Sequence, residues 1–181
     1  YPLDMVFQVA ENPKSYFKKF FTEEINLSIP EKDYINAWYS TYRTCGSSTV
    51  QAIMESSSGE IPLRVKQFAE NISGALEKSV LFMSDEDFEL IKQRLKDDMI
   101  FSTETTSSFL SILRKNWISS SAEYFYTYNS KMNEVTKEEM LSAIEKYIKN
   151  LNPFITVLVN PEVFAEYKLE FQEHGFSVIE K

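Results

Sequence analysis

The chain has 181 residues, a mass of 21.1 kDa and a formal charge of −8, with 43% hydrophobic and 25% charged residues, one cysteine and one histidine. That length suits a single domain able to bury on the order of 70% of the surface its unfolded form exposes. The acidic balance argues against a nucleic-acid backbone or an anionic membrane surface as partner, a lone Cys45 excludes an internal disulfide framework, and no run of about 18 apolar residues offers a spanning helix.

Taken in chain order, Met5–Ala10 reads as a candidate strand and Pro13–Phe21 as a short helix bearing Tyr16, Phe17, Phe20 and Phe21. Asn36–Thr44 and Ser48–Glu55 are rich in Tyr, Trp, Thr, Val and Ile, and Cys45-Gly46-Ser47 between them breaks like a turn, which predicts an antiparallel strand pair. Arg43 is the basic residue the sequence places beside Cys45.

Between Gly74 and Pro153 there is neither glycine nor proline, so the middle of the chain is expected to be mostly helix. From Pro62 to Val80, the apolar residues Val65, Phe68, Ala69, Ile72, Leu76 and Val80 recur at helical steps, with Pro62 suited to a first turn. Ser84 followed by Asp85, Glu86 and Asp87 reads as the capped start of a second helix through Phe88, Ile91, Leu95 and Met99. Thr103–Met132 continues the period, and the serines at 119–121 leave open one bent helix or two. Thr136 with Glu139 forms a capping box that opens a helix through Met140, Leu141, Ile144, Ile148 and Leu151. Phe154–Val159, an apolar run between Pro153 and Asn160-Pro161, suits a strand buried on both faces.

The single histidine limits the chemistry. A catalytic zinc generally takes three protein ligands, and His174 with Cys45 does not make a dedicated site. His174 before Gly175 instead reads as the last turn of a helix closed by a glycine. The aromatic set Trp117, Tyr124, Phe125, Tyr126 and Tyr128 has the spacing of a helical core and its rim, or of a peptide groove. The chain opens on Tyr1 rather than Met, so it reads as a processed chain or a piece of a longer one.

The order of hairpin, long helix, further helices, the capped segment Val135-Thr136-Lys137-Glu138-Glu139-Met140 and a closing strand resembles the C-terminal part of a half-unit of the insulinase and pitrilysin zinc metallopeptidases, relatives of the mitochondrial processing peptidases. Met83-Ser84-Asp85-Glu86-Asp87-Phe88 is similar to the family's preceding helix start, and the resemblance spans roughly residues 28–160. It implies an α+β fold, an antiparallel sheet covered on one face by helices, as in a metallopeptidase half-clamshell, with residues 1–181 forming one noncatalytic domain. The family's inverted zinc motif, His-x-x-Glu-His, is absent: Glu170 stands three residues before Glu173, where that motif has histidine. The resemblance therefore implies no catalytic or metal-binding residue and no cofactor in this chain. It places zinc in a homologous partner half, in the same polypeptide or another chain, and makes a peptide the substrate.

The noncatalytic half of that family usually carries an arginine and, seven residues later, a tyrosine at the entry to the hairpin. Glu31-Lys32-Asp33-Tyr34-Ile35-Asn36-Ala37-Trp38-Tyr39 resembles that pattern, which makes Lys32 and Tyr39 the implied substrate-binding residues. Lysine keeps the charge but loses the planar fork of arginine. The alternative is a degenerate scaffold that serves only subunit assembly, with no contribution to nucleic-acid binding or membrane insertion in either case.

Overall fold

The computed structural model describes residues 1–42, 44–56 and 59–177. Helix α1 spans Pro2–Glu11 and buries Met5, Val6, Phe7, Val9 and Ala10. This corrects the strand expected at Met5–Ala10. Six mostly apolar residues fit either period, and the four-residue steps Met5–Val9 and Val6–Ala10, with Pro2 in the first turn, favour the helix. Ser15 then caps α2 (Tyr16–Lys19), accepting from the Lys18 amide while its hydroxyl donates to the Ala10 carbonyl at 2.8 Å. A π-helical turn, Phe20–Glu24, continues α2, so that Phe17, Phe20 and Phe21 all point into the core. Phe21 is fully buried, edge-on to Phe17 and 4.6 Å from the ring centroid of Phe68.

The expected hairpin is present as β1 (Ile35–Thr41) and β2 (Gly46–Ala52), antiparallel, with Ile35 opposite Ala52 and Thr41 opposite Gly46. The turn falls earlier than the sequence suggests: the Tyr42 amide donates to the Cys45 carbonyl at 2.8 Å, and Gly46 already belongs to β2. Residue 43, inside the expected first strand and the basic neighbour proposed for Cys45, lies outside the described residues. Along β1 the pleat alternates, with Ile35 and Ala37 buried and Asn36 and Trp38 exposed. The buried face packs on α1. Glu11, at the end of α1, fastens this contact: its carboxylate accepts the Ala37 amide and also takes the buried Lys18 ammonium at 3.5 Å.

Helix α3 (Ile61–Phe82) runs beneath α1, burying Phe68, Ala75, Leu76 and Val80 at helical intervals as the periodicity predicts. Its first turn holds Arg64, which is buried although charged. The guanidinium donates from Nε to the Gly59 carbonyl at 3.0 Å and from Nη1 to the carbonyls of Leu27 at 3.2 Å and Glu55 at 3.0 Å. One side chain thereby pins the loops on both sides of the hairpin to the start of α3. Gly59 and Glu60 lead into that start with φ of 67° and 49°, the left-handed region that glycine enters without cost.

Helix α4 (Asp85–Ser102) begins at Ser84, whose hydroxyl accepts the Asp87 amide at 3.0 Å. The serine run divides the next stretch into two helices, α5 (Thr106–Ser119) and α6 (Ala122–Glu134), because Ser121 turns out to be the cap of α6, accepting from Tyr124. Thr136 and Glu139 form the expected reciprocal capping box of α7 (Lys137–Ile144), which continues as a second π-helical turn, Glu145–Lys149. Helix α8 (Pro161–Glu173) ends as predicted: Gly175 takes φ of 85°, and the amides of Gly175 and Phe176 return to the carbonyls of Gln172 and Phe171.

Phe154–Val159 is not a buried strand. The segment belongs to no ladder, and Phe154 and Leu158 are 92% and 101% exposed. Its composition suits a strand, but a strand needs a neighbour to satisfy its backbone, and the described sheet consists of β1 and β2 alone. Among the described residues the architecture is thus mixed α and β, mostly helical, with one small antiparallel sheet whose inner face is covered by α1. No helix among the described residues is long and apolar enough to cross a membrane.

Candidate functional site

Lys32 opens a 3₁₀ turn, Lys32–Tyr34, that delivers the chain into β1. Its ammonium lies 2.7 Å from Glu23 Oε1, both side chains being partly exposed. The hydrogen bond and charge of Lys32 hold the Glu23 carboxyl below its usual value. Water screens such a pair, so exchanging Glu23 for another acceptor costs little.

Tyr39 sits near the other end of β1, on the same side as Ile35 and Ala37. Its ring stacks on Phe7, with centroids 6.1 Å apart and planes inclined by 22°. Across the hairpin it overhangs Gly46: a β-carbon there would fall 2.2 Å from the phenolic oxygen, so the space above Gly46 is what lets the tyrosine lie down. Burial pushes the phenol up from its ordinary value, with the negative ends of Asp4, Tyr147 and Cys45 adding to the shift and a hydrogen bond with Thr41 opposing it. Lys32 and Tyr39 are therefore presented at opposite ends of one strand with different partners. A rise of about 3.3 Å per residue sets them well apart.

Tyr39 belongs to a larger tyrosine-rich edge formed where the start of α1, the end of β1, α6 and the π turn after α7 meet. Tyr1 stacks on Tyr124 at 5.1 Å and tilts against Tyr128 at 5.9 Å, while Tyr124 meets Tyr128 nearly edge-on at 5.5 Å. The hydroxyl of Tyr124 donates to Asp4 Oδ2 at 2.9 Å. Burial raises the Asp4 carboxyl, against the lowering effect of that bond. Burial and, next, the Asp4 charge push the phenols of Tyr124 and Tyr128 far above the ordinary tyrosine range. The phenols of Tyr39, Tyr124 and Tyr128 therefore keep their protons at neutral pH. The Tyr124 proton is committed to Asp4, so the edge offers its ring faces and the O–H groups of Tyr39 and Tyr128 rather than a base.

Beside this cluster an open groove of about 430 Å³ is lined by Pro2, Glu138, Glu139, Ser142, Lys146 and Tyr147. Lys146 lies over the Tyr147 ring at 4.8 Å, and the groove walls carry both signs of charge. Of the aromatic set expected at a groove or core rim, Tyr124 and Tyr128 join the cluster. Phe125 is buried edge-on to Phe109 instead, and Trp117 and Tyr126 are more than 60% exposed. No local pattern announces Tyr1 and Asp4, since their partners lie 120 or more positions away and their helix reads locally as a strand.

His174 caps the end of α8, apart from any acidic or thiol cluster: among the described residues no three His, Cys, Asp or Glu side chains gather where they would hold a metal ion. What the arrangement can do is bind a polar, extended ligand through neutral phenols, ring faces and a mixed-charge groove. Comparison with protein-family models, with curated proteins and with solved structures finds no match to this chain.

Proposed function

We propose that the chain is the noncatalytic half of an insulinase-like zinc metallopeptidase, a half-clamshell domain that completes a peptide-binding chamber opposite a zinc-bearing half. The observation that carries this reading is the hairpin: it packs on α1, starts from Lys32 and brings Tyr39 into a protonated tyrosine edge. Residues of the tyrosine edge suit a peptide, whose carbonyls accept hydrogen bonds from phenols and whose side chains stack on rings. The zinc, the water it activates and the bond cleavage belong to the other half. This chain's role is to hold the peptide's backbone in place across the chamber.

A second reading, an assembly scaffold that never touches substrate, draws support from the engagement of both implied residues: Lys32 with Glu23 and Tyr39 with Phe7 and Gly46. The two readings part in the complete enzyme. Lys32→Ala and Tyr39→Phe are expected to lower kcat/KM for peptide without lowering thermal stability, and unchanged turnover leaves the scaffold. Tight stoichiometric zinc binding by this chain alone, or chelator-sensitive cleavage by it, would falsify the noncatalytic assignment. Absence of a His-x-x-Glu-His half from both the full polypeptide and its stable partners would instead overturn the metallopeptidase reading.

A further inference from the structure

The segment between α7 and α8 has the properties of a strand in every respect but a partner. No described residue makes a backbone hydrogen bond to positions 154–159, so a run of amides and carbonyls is left facing solvent. Side-chain exposure alternates: Phe154, Thr156 and Leu158 are exposed, with Phe154 and Leu158 at 92% and 101%, whereas Val157 and Val159 are half-buried and Ile155 is 37% exposed. No helix, turn or bend interrupts positions 152–160, and the alternation leaves one row of side chains partly covered and the other outward. Such an edge recruits another strand.

The occupant follows from the sequence of the segment itself. With Thr156 at the centre of an antiparallel pairing, Phe154 stands opposite Leu158 of a second copy, Ile155 opposite its Val157, and Thr156 opposite its own counterpart. Aromatic with aliphatic, β-branched with β-branched and threonine with threonine are all favourable cross-strand pairs, and a two-fold axis generates each hetero-pair twice. Charge leaves that pairing open at this segment. The whole chain carries −8, which opposes contact between copies over most of its surface, yet no charged residue occurs from position 150 to 161. Pro153 and Pro161 bracket the run and stop the ladder from spreading beyond it.

We propose that residues 154–158 pair two copies of this chain as an antiparallel, two-stranded β-bridge centred on Thr156. The contact is short against the roughly 1,200–2,000 Å² of a standard stable interface, so the dimer forms reversibly with concentration rather than permanently. Sedimentation equilibrium of the 181-residue chain from about 10 μM to 1 mM is expected to show the mass rising from 21.1 kDa toward twice that value. Thr156→Pro removes a central amide without touching any helix or strand of the fold, and Leu158→Lys places a charge in the outward row. Each is expected to keep the chain monomeric with an unchanged circular-dichroism spectrum.

Register supplies the sharper readout. In a Cys45→Ser background, Thr156→Cys is expected to form an interchain disulfide on mild oxidation, because the two-fold sets it beside its own copy, whereas Phe154→Cys faces Leu158 and is expected to crosslink at least about tenfold less. A wild-type chain that stays monomeric throughout the range overturns the proposal. A dimer that survives Thr156→Pro also does, as does equal crosslinking at 154 and 156 or growth beyond the dimer.

Discussion

The inner and outer parts of the molecule are built on different terms. In the inner part, α1, α2, the hairpin, α3 and α7 share one core in which Phe17, Phe21, Met5, Ile35, Leu76 and Met140 are almost wholly excluded from water. The outer helices α4, α5 and α6 begin from side-chain caps at Ser84, Thr105 and Ser121 but bury little: α4 buries Phe88 and Ile91, α6 Phe125 and Met132, and α5 no residue at all. Capping thus decides where a helix starts. Burial decides how much the protein depends on it.

Phe21→Ala deletes a fully buried ring packed among Phe17, Phe20 and Phe68, and is expected to cost about 3–5 kcal/mol of unfolding free energy in a denaturant titration. Leu110→Ala on α5, where the side chain is 55% exposed, is expected to change stability by less than about 0.5 kcal/mol. Equal losses at the two positions would mean that α5 is held as firmly as the core. Arg64→Met is expected to follow at about 2–4 kcal/mol, since it strands carbonyls of Leu27, Glu55 and Gly59 that the guanidinium now satisfies. Slower or absent unfolding effects there would show that water replaces the arginine without loss.

A medium effect belongs to the hairpin. Gly46→Ala drives a methyl into the Tyr39 hydroxyl and is expected to cost about 1–3 kcal/mol. Paired with Tyr39→Ala it is expected to be nearly harmless, and a double-mutant cycle showing no coupling would contradict the overhang. The subtlest effect is on pH dependence at the tyrosine edge. The Asp4 carboxyl is raised by burial, so the folded state holds its proton to higher pH than the unfolded chain. Its contribution is therefore greatest in acid and is lost as pH rises from its ordinary value of 3.8 through the raised one. Asp4→Asn is expected to flatten that part of the stability–pH curve, whereas Glu23→Gln and Asp85→Asn, at carboxyls held low by Lys32 and Lys137, are expected to remove a loss on the opposite, acidifying side.

Features that depend on a few adjacent residues were legible before folding was considered. Ser84, the Thr136–Glu139 box and Gly175 act through bonds closed within five positions, and each is found where its pattern places it. Met5–Ala10 and Phe154–Val159 show the other case. Both are short apolar runs, and a run of six does not carry its own period. Met5–Ala10 became a helix because a core lay on one side of it, and Phe154–Val159 stayed unpaired because no strand of the described residues lay beside it. Lys32 and Tyr39 were legible as a spacing, but the tyrosine edge that surrounds Tyr39 depends on contacts between α1 and α6 that no local pattern announces.

The bond from the Ala37 amide to Glu11 has a consequence for how this sheet can be enlarged. Backbone bonds at Tyr34 with Ile53 and at Tyr42 with Cys45 fix the ladder's phase, and in that phase the Ala37 amide points away from β2. Glu11 therefore occupies the donor that an incoming strand would claim on the β1 flank. A helix-borne carboxylate stands guard there, and additional strands are steered to the flank of β2, giving a two-stranded sheet a single direction of growth.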